Sequence, residues 1–187
     1  MKRPLITLVL AGILVAAIQS TAFGINLVEN GDFEQVRADS SPAGWAWALA
    51  RNTQAEFAFD DEERIQGSHS LKITVKDDTG QVNLMPEATA MGTPQPGASY
   101  ELSVWVKTQD LRYNRFMVTP AIRFNFRPTR VRPTPLFNLM DDVGTTTDWK
   151  QLTMQITAPN DAREFILDMI ITQGTVWIDG VSLTRVD

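Results

Sequence analysis

The feature that most limits what this chain can become is a two-residue rhythm. In Tyr100-Glu101-Leu102-Ser103-Val104-Trp105-Val106-Lys107, Tyr100, Leu102, Val104 and Val106 fall on one side, and Ser103, Trp105 and Lys107 on the other. That is the alternation of a strand with one buried face. The same beat sets Leu71, Ile73 and Val75 against Lys72, Thr74 and Lys76. It also sets Leu152, Met154 and Ile156 against Thr153, Gln155 and Thr157, and Ile122, Phe124 and Phe126 against Arg123 and Asn125. Phe165, Leu167, Met169 and Ile171 make a further stripe. No stretch after the first residues carries a convincing helical period. Between the runs stand turn formers: Pro42-Ala43-Gly44, Gln66-Gly67-Ser68, Asp77-Asp78-Thr79-Gly80, Pro94-Gln95-Pro96-Gly97, Asp141-Asp142-Val143-Gly144 and Pro159-Asn160-Asp161. One-sided strands at this spacing predict an all-β fold: a two-sheet antiparallel β-sandwich of roughly nine or ten strands with jelly-roll connections.

The first 24 residues read differently. Met1-Lys2-Arg3 is basic, Leu5 to Ile18 is apolar except for Thr7, and Gln19-Ser20-Thr21-Ala22-Phe23-Gly24 offers small residues at signal-peptidase spacing. This is the pattern of a secretory signal peptide, cleaved near Ala22 or Gly24. The apolar run falls short of the roughly 20 residues that span a bilayer, so the mature chain is expected to carry no membrane span. The chain has no cysteine, which removes a lipid anchor of the lipoprotein type and any disulfide framework. Export without cysteine fits a secreted or periplasmic bacterial protein. Residues 25–187 then form one domain, large enough for a single core. Without Lys2 and Arg3, 15 basic side chains of the original 17 face 22 acidic ones, a formal charge of −7 that argues against nucleic acid or anionic lipid as a partner.

An acid sits where a strand should be buried. In Gly174-Thr175-Val176-Trp177-Ile178-Asp179-Gly180-Val181-Ser182-Leu183, Asp179 lies among core-facing Val176, Ile178, Val181 and Leu183. Such a carboxylate is costly unless it is paired or metal-bound. Asn30-Gly31-Asp32-Phe33-Glu34 supplies a counterpart near the other end. If the two ends meet, Glu34 and Asp179 could share one hard cation. They could equally cap turns, or pair with Lys72 or Arg64.

Several landmarks now fall in order: Asn26-Leu27-Val28-Glu29-Asn30-Gly31-Asp32-Phe33-Glu34, Pro42-Ala43-Gly44-Trp45, Gln66-Gly67-Ser68-His69-Ser70-Leu71-Lys72-Ile73, Pro96-Gly97-Ala98-Ser99-Tyr100 leading into Ser103-Val104-Trp105-Val106-Lys107, Thr147-Asp148-Trp149-Lys150, and Ile178-Asp179-Gly180-Val181-Ser182-Leu183. Together they resemble the CenC-type carbohydrate-binding modules, the family-four and family-nine jelly rolls of galactose-binding-like shape that accompany bacterial cellulases and xylanases. The resemblance covers about residues 26 to 185. It implies a β-jelly roll with a structural calcium (Ca2+) away from the ligand groove. The family's glutamate falls on Glu34, a backbone carbonyl on Asp32 and the C-terminal carboxylate on Asp179. The loop oxygens fall on Gln66, where an acid can occur, and His69. Oxygen-only ligands suit calcium rather than zinc.

Sugars show apolar C–H faces ringed by hydroxyls, so their sites pair an aromatic platform with amides, carboxylates and arginines. In the resembling family the ligand lies across the concave sheet or in loops at the sandwich end. Trp105, opposite the core face of its run, is the expected platform. Asn83, Glu87, Arg123, Asn125 and Arg127 are the polar readers expected from adjacent strands. Trp45 is expected to staple the first hairpin, and Trp149 and Trp177 to pack at strand edges. One departure stands out: Gln81-Val82-Asn83-Leu84-Met85-Pro86-Glu87 has no aromatic where polysaccharide-binding relatives usually place one. In Arg127-Pro128-Thr129-Arg130-Val131-Arg132-Pro133, stiffened by proline, three arginines could meet the carboxylates of an acidic glycan, or pair with Asp141 and Asp142.

Little in the chain points to catalysis. His69 is the only histidine, and no cysteine and histidine set exists for zinc. Glu87, Glu101, Asp110 and Asp168 are carboxylates without a motif that singles out a pair. The reading is a non-catalytic glycan-binding module, at most an accessory to glycoside hydrolases, with a separately encoded enzyme or envelope protein as a possible partner. Two alternatives stay open: a cell-envelope or extracellular sandwich that binds protein, and a small glycoside hydrolase or polysaccharide lyase on a jelly roll.

Overall fold

The computed structural model describes residues 24–128 and 135–187, with Pro135 and Leu136 described by backbone alone. The expected signal peptide up to residue 23, and Arg130 and Arg132, lie outside these residues. Ten strands follow in order: β1 (Trp45–Ala50), β2 (Ala55–Asp60), β3 (Ser70–Val75), β4 (Gln81–Pro86), β5 (Ser99–Gln109), β6 (Ala121–Arg127), β7 (Pro135–Asn138), β8 (Thr147–Thr157), β9 (Glu164–Ile171) and β10 (Gly174–Arg185). A short π-helical turn, Leu139–Val143, links β7 to β8. Asn138 caps it by accepting the Met140 amide, a loop-end device the alternation could not announce.

The strands form two five-stranded sheets. Sheet I has the order β1-β4-β9-β6-β7 and sheet II the order β2-β3-β10-β5-β8, and every pairing is antiparallel. From β3 to β6, and again from β8 to β10, the chain crosses from one sheet to the other at each step, as a jelly roll does. This places sequence neighbours on opposite layers, and that fact later decides the site.

The core lies between the layers and is built from the apolar parity of each run. Leu102, Val104 and Val106 of β5, Ile73 of β3, Leu84 of β4 and Ile171 of β9 are fully buried. Tyr100 of sheet II meets Phe165 of sheet I edge to face, with ring centroids 5.0 Å apart. Each such side chain contributes about 1.5–3 kcal/mol through burial. Truncating one of them, Leu102→Ala for example, would leave a cavity costing about 2–5 kcal/mol. Trp45 staples the first hairpin as expected: its indole donates to the Asn30 carbonyl and packs on Phe33 at 5.0 Å.

The two ends of the domain join. The Leu27 amide donates to Leu183 O and the Val181 amide to Gly31 O, both at 2.8 Å. Asn26 clamps the same place, accepting the Leu183 amide and donating to Val181 O. Gly31 is required there, because a Cβ would sit 1.9 Å from the Val181 carbonyl oxygen.

Candidate functional site

The structure divides the expected glycan residues between two surfaces. Asn83 lies on β4, and Arg123, Asn125 and Arg127 lie on β6, all in sheet I. Trp105 lies on β5, in sheet II, between β10 and β8. The expectation of one groove with an indole floor is therefore corrected. Alternation says that Trp105 faces away from the core, but the crossing between β5 and β6 puts it on the opposite side of the sandwich from Arg123.

On sheet I the register assembles rungs, because directly paired residues share a face. Ala46 pairs with Met85, and Asp168 with Arg123. A full rung runs Ala48, Asn83, Ile170, Ala121. On the other side, Ile166 pairs with Asn125 and Glu164 with Arg127. The resulting face alternates amide and charged groups with aliphatic ones, and no aromatic residue stands on these rungs. Arg123 and Asp168 approach only to 4.0 Å, with 32% and 21% of their side chains exposed. Among the described residues, Arg123 Nε and Asp168 Oδ1 find no hydrogen-bond partner. Burial pushes the Asp168 carboxyl above its ordinary value, against the pull of Arg123. The sequence offered Asp168 only as one of four carboxylates that no motif pairs, not as a glycan reader. The signal available was that it is the one acid at an off-core position within the 165–171 stripe.

The same face leads to a cleft of about 490 Å³ lined by Met85, Glu87, Arg127, Arg163 and Ile166 among others. Glu87 and Arg127 are thus brought together, but each is already engaged. Arg37 holds Glu87 at 2.7 Å, and Glu164 faces Arg127 at 3.4 Å.

On the outer face of sheet II, strand β10 is covered. The 61–69 loop lies over β10, and its Ile65 and Gln66 amides donate to Asp179. The Trp177 indole donates to Asp60 and is flanked by Lys72 at 4.9 Å and Lys107 at 5.6 Å. Burial works against ionisation of Asp60, but the Trp177 indole, the Glu63 amide and Lys72 outweigh it and hold its carboxyl at about 2. Trp177 is therefore a packing residue, 5% exposed. Trp105, two pairs further along β10, stays partly exposed.

The acid pair at the joined ends is held by the same loop. Glu34 Oε1 accepts the Ser68 and His69 amides at 2.8 and 3.2 Å. Asp179 Oδ2 accepts Ile65 and Gln66 at 2.7 and 3.0 Å, and Oδ1 accepts Gly180 at 2.6 Å. His69 turns its ring to the Phe33 carbonyl at 2.9 Å. Gly67, with φ +63°, leaves room for Glu34, whose Oε1 would lie 2.3 Å from a Cβ. Burial drives the Asp179 carboxyl up and the Asp32 charge adds to that, while three amides oppose them. In Glu34 the Ser68 and His69 amides outweigh slight burial and lower the carboxyl. Among the described residues, no three acidic or histidine side chains are grouped as metal ligands. A cation here would rest on the two carboxylates with carbonyl and amide oxygens from Asp32, Gln66 and His69. Such an all-oxygen donor set is of the kind that suits a hard ion.

The fold and this face define a jelly-roll sandwich with polar groups arrayed on one sheet and its ends locked together. Residues 25–173 match the family model described as carbohydrate-binding domain, CBM_4_9. The chain belongs to this family of non-catalytic carbohydrate-binding domains, which are often appended to glycoside hydrolases. No functionally curated protein matches it. Among solved structures it is similar to the enzymatically active domain of tailspike protein 4 from bacteriophage CBA120, at 15% identity and TM-score 0.63, covering 87% of this chain and 22% of that one. It is similar to TmCBM61 in complex with β-1,4-galactotriose, at 15% identity and TM-score 0.57, covering 86% and 99%. A CBM4 module matches at 18% identity and TM-score 0.51, covering 85% and 99%. At these identities the likeness is one of fold. The chain spans about a fifth of the tailspike chain.

Proposed function

We propose that this is a secreted module that binds a poly- or oligosaccharide across the outer face of sheet I, with Arg123, Asn83, Asn125 and Asp168 reading hydroxyls. The observation that carries this is the register of β4, β9 and β6, which places these four groups on one face between aliphatic side chains. A sugar hydroxyl both donates and accepts, so one hydroxyl can serve Arg123 and Asp168 together. The cleft beside them, with Arg127 and Arg163, extends the face toward acidic glycans. The test is a glycan array with the intact chain, repeated with Asn83→Ala/Asn125→Ala. Retained binding to every glycan would move the site elsewhere.

Glu34 and Asp179 are proposed as ligands of a structural calcium ion, with Gln66 and the carbonyls of Asp32 and His69 completing the oxygen set. Family membership and the convergence of both acids on the 65–69 loop support this reading. Calcium should raise the melting temperature and chelator lower it, because an ion bound to the native state alone adds stability. Equal melts in both would remove the ion from the account. Export is proposed from the basic and apolar start of the chain, and N-terminal sequencing of exported protein should begin at Phe23 or Ile25.

A further inference from the structure

Sheet II carries a feature that the sheet I face does not use. Where β10 runs beside β5, Asp179 pairs with Trp105 and Ser182 with Ser103, so Gly180 and Val181 together oppose only Val104. This is a β-bulge, a device that bends a strand and re-aims nearby side chains. Gly180 takes φ +56°, and a Cβ there would press on the indole at 3.1 Å from Cδ1. Bulge and glycine together hold β10 back from Trp105. The N-terminal segment crosses at the same point through the Gly31–Val181 contact. Between them opens a cleft of about 580 Å³, within the range of small-ligand sites.

Trp105 forms part of its wall. Around the indole stand Gln66, Gln35, Asp32, Ser103 and Gln151, and Gln151 donates to Ser103 Oγ at 2.9 Å. Trp177, on the same face, is sealed by lysines and Asp60. Trp105 by contrast is partly exposed. A partly exposed indole ringed by amides, hydroxyls and one carboxylate is the combination that suits a pyranose ring: a flat apolar surface with mixed donors and acceptors around it. No lysine or arginine lines this cleft among the described residues, so its charge favours a neutral sugar over an acidic one.

We propose a second glycan site here, specific for a neutral sugar unit stacked on Trp105 and independent of the sheet I face. The proposal takes from the reading above only that the module meets glycans. The two sites share no residue and lie on opposite sides of the sandwich, so one molecule would bridge two glycan segments.

The test uses the full chain with cellohexaose and β-1,4-galactotriose, following titration calorimetry and the shielding of tryptophan fluorescence from acrylamide. At least one of these neutral oligosaccharides should shield an indole. Trp105→Ala should abolish that shielding and weaken the event by about tenfold or more. Trp105→Phe, which keeps a ring, should restore part of it. Asn83→Ala/Asn125→Ala should leave it intact. Gln151→Ala, an exposed position, guards against a folding defect in Trp105→Ala and should weaken binding without moving the melt. Unchanged binding in both Trp105→Ala and Gln151→Ala overturns the second site. So does the absence of shielding by either oligosaccharide in the unmodified chain. In either case, array binding that depends on Asn83 and Asn125 leaves the sheet I reading standing. Conversely, shielding lost only in Trp105→Ala, with an array indifferent to Asn83 and Asn125, removes the sheet I reading and keeps this one.

Discussion

The two outer faces of the sandwich are built from the same alternation and differ in what lies over them. On sheet II the 61–69 loop, Asp60, Lys72 and Lys107 close over β10, leaving Trp105 open beside the bulge. On sheet I the outward positions of β4, β9 and β6 stay partly open and mix Asn83, Asn125, Arg123 and Asp168 with Met85 and Ile166. Covered strand β10 of sheet II locks the ends of the chain together, while sheet I turns amide and charged groups outward beside aliphatic ones. The contrast shows that the chain ends are joined through one layer alone, whatever each outer face goes on to recognise.

The sharpest way to break that contrast is at Gly31. A Cβ 1.9 Å from the Val181 carbonyl oxygen has nowhere to go. Gly31→Ala should cost about 3 kcal/mol and lower the melting temperature by roughly 6–12 °C. A thermal melt checks this, and an unchanged melt would mean that the joined ends do not carry the covered strand. A smaller loss is expected from Asp60→Asn, because the native carboxyl sits at about 2 against an ordinary 3.8. A lowered native value gives stability that is present above the unfolded value and lost as pH falls through the native one. The variant should therefore be up to about 2 kcal/mol less stable at neutral pH and should converge with the parent as pH falls from about 4 toward 2, as read by urea unfolding across that range.

Smaller still is Asp168→Asn. Burial raises the native carboxyl of Asp168, so the native state holds its proton longer than the unfolded chain. Its contribution to stability therefore declines as pH rises from the ordinary carboxylate range through the raised native value. Asp168→Asn should flatten that slope, with a net change of at most about 1 kcal/mol at neutral pH. A steeper slope in the variant would mean that Arg123 dominates the pair.

Much of this was legible in the chain. The stripes at Tyr100–Val106, Leu71–Val75 and Phe165–Ile171 gave the strands, and Asp179 beside a glycine pointed to the join with the 30–34 segment. Which sheet each strand enters was not legible. Alternation separates core from surface, but a jelly roll sends consecutive strands to opposite layers, so Trp105 and Arg123 looked like neighbours and are not. Asp168 was named only as a carboxylate without a partner for the same reason, since it lies across from Arg123 in a register no local pattern encodes. The bulge at Gly180 was hidden because a glycine beside an acid reads equally well as a turn.

The claim that sheet I reads the glycan is tested most directly by one comparison: the dissociation constant of the strongest array glycan for the unmodified chain and for Asn83→Ala/Asn125→Ala. The account predicts a loss of about tenfold or more, from two hydrogen-bonding groups at about 1 kcal/mol each, with no change in melting temperature. Equal constants, with both proteins folded, would contradict it.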